Sequence, residues 1–503
     1  MKLVYVYIIL LSFIASEEKH RCNLIESVRV DRPDMDMSFL SLSGNFMVHY
    51  DTLGVKAPDD VVVGGYSEYI NQVAIAAENA RYILVNTLGY HEEPQDDDGV
   101  YDIYIWNYNS GYYGVNVHEG NGVSYIKIDN NYEEGFYTLG LTVMKLTVAH
   151  EYFHAIQRSY KEVSGEDGYF FELASTWIED IIVPDGDDYL YWVDDLFNYP
   201  EKDFDSFTSQ TGYSLALYGH YLSAEIEKTS NPLNNTIMRD IWEEIGDGNS
   251  AFSSIKNVLE NKYNVSFSDT WSDFMARNFY NGIYDDMNND IYYHIDQANP
   301  ILNEYPMYVE YLDISNADLD LNFELNDRSV DIHSLDTDAG ISVSLDHEEF
   351  PSSGSIVIIR NNHLNNQLFT IPVNMDIVLD PGDVVHFLYA NSNGESEIDL
   401  EISLNYSIHN TNIINIFPNP ITSPGYEIVS FTVDYLKEYD NVNYQIVDLK
   451  GRIIKTFDLG RRTNGRYIED LGYSLSAQIP SGVYFLKLDT NNKNDVKIFT
   501  IYK

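Results

Sequence analysis

Cysteine is almost missing from this chain. Cys22 is the only one, so no disulfide can form within it. The stretch "EKHRC" before it lacks the small apolar residues of a lipid-attachment site, which leaves Cys22 an incidental thiol. Positive charge is scarce too: 30 Lys and Arg face 79 Asp and Glu, for a formal net charge of -49. Such a surface repels nucleic acid and anionic lipid and favours divalent cations, so a nucleic-acid role is set aside. Long apolar runs are confined to the start. Lys2, the run Leu3 to Ile14 and the small pair Ala15-Ser16 read as a secretory signal at 1–16. No later stretch is long and apolar enough to be a transmembrane segment, and no repeat of solenoid period appears.

What is present is material for several cores. With 44% hydrophobic and 14% aromatic residues the chain is not generally disordered, and 503 residues suggest about three domains. Residues 17–43 are polar, as a pro-segment would be. From 44 to 298 strands and helices mix. "GNFMVHYDT" (Gly44 to Thr52), "GVYDIYIWNY" and "SYIKIDNNY" (Ser124 to Tyr132) read as strands. Helical spacing predicts helices over Tyr66–Tyr90, Leu139–Tyr160 and Tyr169–Val183, and again between Ser214 and Gly282. After Asn299 the period becomes two, which predicts a β-sandwich at 299–410. "NIFPNPITSPG" (Asn415 to Gly425) then leads into a last all-β unit at 411–503.

The chemistry concentrates in "TVAHEYFHAIQ", Thr147 to Gln157. Residues four apart on a helix lie one turn above each other, so His150 and His154 can offer their imidazoles to one ion. Neutral imidazole suits zinc, and a catalytic zinc keeps three protein ligands. Glu151, on the flank of the pair, is placed to act as general base toward water. The apolar run Thr142 to Val148 is suited to burying this helix. The next helix carries Glu172 and Glu179, seven apart and on one face. Glu172, 18 positions beyond His154, is the expected third ligand, and Glu179 the expected hydrogen-bond partner of a ligating histidine. The two roles are exchangeable at this stage. The competing structural reading is a pair of histidines hydrogen-bonded inside a helical core.

"AHEYFHAIQ" followed by "FFELASTWIED" resembles a bacterial group of gluzincin-like zinc metallopeptidases, over about Gly44 to Gly282. The resemblance implies an α+β zincin-like catalytic domain with zinc as cofactor and a protein or peptide substrate. It implies His150 and His154 as ligands, Glu151 as base and Glu172 as third ligand. A substrate would align on the strand ending at Asp129. The chain departs from the best-known members where their Asn-Glu pair becomes Phe171-Glu172, which bears on the third ligand. A third histidine of metzincin type is absent, since Gln157 and Tyr160 stand where its glycine and histidine would be. Tyr218 and His220 in "ALYGHYL" are candidate donors to the oxyanion of a tetrahedral intermediate. Calcium is a second candidate cofactor, at "DGDDY" (Asp185 to Tyr189) and "DDMNND" (Asp285 to Asp290), although neither has the pattern of an EF-hand.

"IFPNPITS", "YQIVDLKGRIIKTF" and "IPSGVYFLKL", in that order, resemble the C-terminal sorting domain of the type IX secretion system, a small Ig-like sandwich. The resemblance implies the type IX machinery as partner and a secreted or cell-surface location. Asp448 to Gly451 is the expected hairpin turn. Tyr484, Leu486 and Leu488 form the expected core face of the last motif, because Lys487 on the opposite face needs water. The expectation is therefore an exported zinc-dependent endopeptidase followed by two all-β domains. A surface adhesin, or a sugar- or protein-binding module with a structural metal, is the alternative.

Overall fold

The computed structural model describes residues 20–22 and 32–502, apart from 63, 109–111, 134, 163–164, 209–210, 282–290, 313–317, 327, 337–340, 347–351, 360–366, 371–374, 380–382, 392–397, 409–411, 423–427, 474–477 and 491–493. The chain is α+β with an all-β C-terminal region, and it divides into two compact units. The first comprises 1–195 and 205–263, and the second 196–204 and 264–503.

The first unit is built on a six-stranded sheet of order β1-β5-β6-β4-β3-β2. Its strands are β1 (His20–Cys22), β2 (Met37–Leu40), β3 (Phe46–Tyr50), β4 (Tyr101–Trp106), β5 (Tyr112–Gly120) and β6 (Val123–Asp129). β3, β4 and β6 run parallel, and β5 turns back antiparallel to β6. Three helices matter for the site: α1 (Glu68–Arg81), α2 (Gly140–Gln157) and α3 (Gly168–Ile182). Ser67 caps α1 by accepting from the Ile70 amide, satisfying one of its unpaired first-turn donors.

α2 packs against β5 and β6, and also against α1 and α3. Enclosure on several sides explains why it has no polar stripe: Val143, Met144 and every residue from Leu146 to Gln157 are buried. Burying His150, Glu151, His154 and Gln157 there demands partners for each, because unpaired polar groups in such a place are costly.

In the second unit, helix Phe267–Arg277 packs on strands Ser352–Ile359 and Val384–Asn391. Its apolar face covers a sheet of the all-β region. A four-stranded and a five-stranded sheet account for residues 310–408. Residues 412–502 form a three-stranded and a five-stranded sheet around one core, in which Val429, Phe431 and Val433 of the first meet Tyr444, Leu486 and Leu488 of the second. Tyr484, Leu486 and Leu488 are buried there as the alternation requires. The hairpin at Asp448 closes through Gly451, whose φ of +80 suits glycine. The Asp448 carboxylate accepts from the Lys450 and Arg452 amides.

Candidate metal centre

The two helices bring three donor atoms together. His150 Nε2 lies 3.1 Å from His154 Nε2 and 3.1 Å from Glu172 Oε2, and His154 Nε2 lies 3.5 Å from that same oxygen. All three residues are buried. Ligands about 2.0–2.1 Å from a tetrahedral zinc are about 3.3–3.4 Å apart, so the triangle has the size such an ion requires. The other Glu172 oxygen, Oε1, is buried with no hydrogen-bond partner among the described residues. A fully buried carboxylate with an idle oxygen is costly unless a cation lies nearby.

The opposite ring nitrogens fix the tautomers. Gln157 Nε2 donates to Phe171 O and Ser175 Oγ, both at 3.0 Å, which turns its Oε1 toward His154 Nδ1 at 2.8 Å. An amide oxygen only accepts, so His154 Nδ1 carries the proton. Glu179 Oε1 holds His150 Nδ1 in the same way at 2.7 Å. Both Nε2 lone pairs therefore point at each other and at a carboxylate. Three acceptors facing one another repel, and a cation removes the repulsion. Replacing Gln157 with Leu is expected to weaken metal binding about 10–100-fold by leaving His154 free to turn, as competition against a chromogenic chelator would measure.

Without a metal, the cation is a proton. Burial disfavours a positive His150, but Glu172 and Glu179 outweigh it and lift the imidazole to about 10. Burial likewise favours a neutral Glu172, yet His154 and His150 draw its carboxyl down to about 2.

Glu151 lies beside this triangle. With His150, Thr147, Tyr113 and Glu179 it lines a cavity of about 10 Å³, room for roughly one water. Its backbone carbonyl accepts from Asn116 Nδ2 of β5, and Asn116 Oδ1 accepts from Arg158. Close approach of β5 to α2 depends on Gly114. A Cβ there would lie 2.6 Å from Thr147 Cγ2 and 3.0 Å from Glu151 Cγ. Gly114→Ala is expected to cost about 1–3 kcal/mol, read as a lower urea midpoint at unchanged slope.

His220 Nε2 is 3.7 Å from Asp180 Oδ2, and Tyr218 stacks on Tyr221. The ring near His150 is Tyr213, 6.1 Å away between centroids, which sequence reading missed among 42 tyrosines. Gln157 had its signal in plain view, one turn beyond His154. The strand ending at Asp129 does not offer an edge: β6 is paired with β4 on one side and β5 on the other, so no substrate can add to it. In the turn Asp185–Tyr189, Asp188 is buried and accepts from Tyr113, the Thr138 amide and Trp192. Asp285–Asp290 lies outside the described residues.

Residues 415–502 match the family of secretion system C-terminal sorting domains. The chain is thus exported by the type IX system to the cell surface or beyond it. Among the described residues no helix is long and apolar enough to cross a membrane. No curated protein matches the chain. Similar solved structures include a calcium-binding mutant of Bacteroides uniformis β-glucuronidase 2, 10% identical over 34% of this chain and 26% of that one, with a TM-score of 0.14. A GH2 β-galacturonidase from Eisenbergiella tayi bound to glycerol is 12% identical over 36% and 34%, with a TM-score of 0.16. The chain spans about a quarter to a third of those structures, and likeness at that level carries no argument about activity.

Proposed function

We propose that this exported protein is a zinc-dependent endopeptidase, with His150, His154 and Glu172 as the metal ligands. The observation that carries the reading is the triangle of donor atoms with edges of 3.1 to 3.5 Å, backed by Glu179 and Gln157. Bound there, zinc would supply Lewis-acid polarisation of water and of a peptide carbonyl. Every proton movement falls to the chain's own groups. Glu151, on the cavity side of His150, takes the proton of the attacking water and hands it to the leaving amine. Glu179 and Gln157 hold both imidazoles in the orientation that keeps Nε2 toward the ion. Tyr213, whose ring centroid lies 6.1 Å from that of His150, joins Tyr218 and His220 as a candidate donor to the oxyanion.

A purely structural metal site has no use for Glu151. Full-length protein reconstituted with zinc is expected to hydrolyse casein, to stop on chelation and to recover with added zinc. A zinc-loaded chain inert on a broad peptide library would remove the peptidase reading and favour the adhesin.

A further inference from the structure

A second cavity of the first unit, about 260 Å³ in volume, opens where β6 ends and α1 and α2 begin. Asp59, Asp60, Glu68 and Glu133 stand around it, all of them exposed. None of the four pairs with a Lys or Arg among the described residues. Below these exposed groups lies a buried one. Asn130 lines the cavity and is 3% exposed. Its Nδ2 donates to Val55 O at 3.2 Å and to Ala57 O at 2.8 Å, which fixes the way the amide faces. Asn130 Oδ1 is left buried, with no hydrogen-bond partner among the described residues. An idle buried acceptor costs free energy, so this one calls for a donor, and the carboxylates around it favour a cationic donor.

Size decides which cation. Calcium takes about six to eight oxygens at about 2.3–2.6 Å, which demands a tight cage. Among the described residues the carboxylates of this cavity form no trio with oxygens within 4.8 Å of one another. The space suits a longer body, with a charged head and an apolar stem. Leu141 offers surface for such a stem, and so does the ring of Tyr69, whose hydroxyl is anchored on Asp129 O at 2.6 Å. That is the shape of a lysine or arginine side chain.

The cavity is also within reach of the proposed zinc site. Tyr132, in the turn after β6, donates to Tyr113 O at 2.7 Å, and Tyr113 lines the small cavity beside Glu151. Along α2, Leu141 lies nine residues before His150, about 14 Å at the rise of a helix. An extended peptide covers that distance in about four residues. Resting on the peptidase reading, we infer that this cavity receives an arginine or lysine side chain of the peptide substrate, about four residues from the bond that is cut. Asn130 Oδ1 meets the head of that side chain, and the surrounding carboxylates balance its charge.

The test uses the full chain carrying Glu151→Gln, with phenanthroline present to hold zinc. The probes are fluorescent peptides of alanine and serine, identical except at one position, which carries arginine, lysine or citrulline, the neutral isostere of arginine. Anisotropy should show the arginine and lysine peptides binding about tenfold tighter than the citrulline peptide, the scale of one hydrogen-bonded charged contact. Asp59→Asn with Glu133→Gln should remove most of that preference. Glu166→Gln with Asp247→Asn, which takes the same charge from outside the cavity, should leave it. Asn130→Ala should abolish it, and the exposed pair decides the matter if that variant fails to fold. Equal affinity for the three peptides overturns the inference, and so does an equal loss with both pairs, which would reduce the effect to general attraction by an acidic surface. Displacement of the arginine peptide by micromolar calcium but not magnesium also overturns it, in favour of a calcium site. Because the assay needs neither metal nor hydrolysis, it separates the two claims. Charge-dependent binding by a chain that never cleaves peptides sinks only the peptidase reading, whereas cleavage indifferent to arginine, lysine and the Asp59 and Glu133 pair sinks only this one.

Discussion

Glu151→Gln is expected to keep a single bound zinc ion and lose hydrolysis, with kcat falling about 10²–10⁴-fold. The argument is one of positions. Glu151 lies one residue from a ligand but is turned to the cavity it shares with Tyr113, Thr147 and Glu179, and it is not among the three converging donors. Gln has the same shape, so packing against Gly114 is preserved and only proton acceptance is removed. A fall in kcat with KM nearly constant marks a group acting in the transition state. If the variant loses zinc instead, Glu151 belongs to the ligand set. If it stays fully active, another group is the base.

Zinc binding is expected to release about one proton per ion near pH 8, read by titration calorimetry in buffers of differing ionisation enthalpy. The proton is the one on His150, which Glu172 and Glu179 hold up to about 10 in the metal-free chain. Affinity should therefore rise about tenfold per pH unit between about pH 7 and 9, as the competing proton is withdrawn. Stability of the metal-free chain runs the other way. His150 has a folded pKa above its ordinary 6.5, so its contribution is complete below 6.5 and is lost as pH rises through about 10. Glu172 has a folded pKa below its ordinary 4.5, so its contribution holds above 4.5 and is lost as pH falls toward about 2. Metal-free protein should thus be best off between those limits. The gap in Tm between zinc-loaded and metal-free protein should widen from neutral toward alkaline pH.

Much of this was legible in the sequence, for identifiable reasons. The four-residue step from His150 to His154 fixes a shared helix face, and the apolar flank from Thr142 to Val148 dictates burial. The step from Glu172 to Glu179 shows that both carboxylates share a face, but not which one meets the ion. That depends on how far α3 slides along α2, a packing variable with no local signature. β5 was not read because "YYGVNVHEG" interrupts alternation with Gly114 and Asn116, and both serve contacts to α2 rather than strand propensity. Helix Phe267–Arg277 has the same kind of signature as any amphipathic helix, and periodicity does not say which sheet its apolar face will cover.

The central claim is that two imidazoles and one carboxylate share a single divalent ion. Crystals of the full chain grown with zinc, measured on both sides of the zinc absorption edge, test it most directly. The account predicts one anomalous peak within ligand distance of His150 Nε2, His154 Nε2 and a Glu172 oxygen, with Glu179 on the far side of His150. A map with no peak among those atoms, or with Glu179 in place of Glu172, would contradict it.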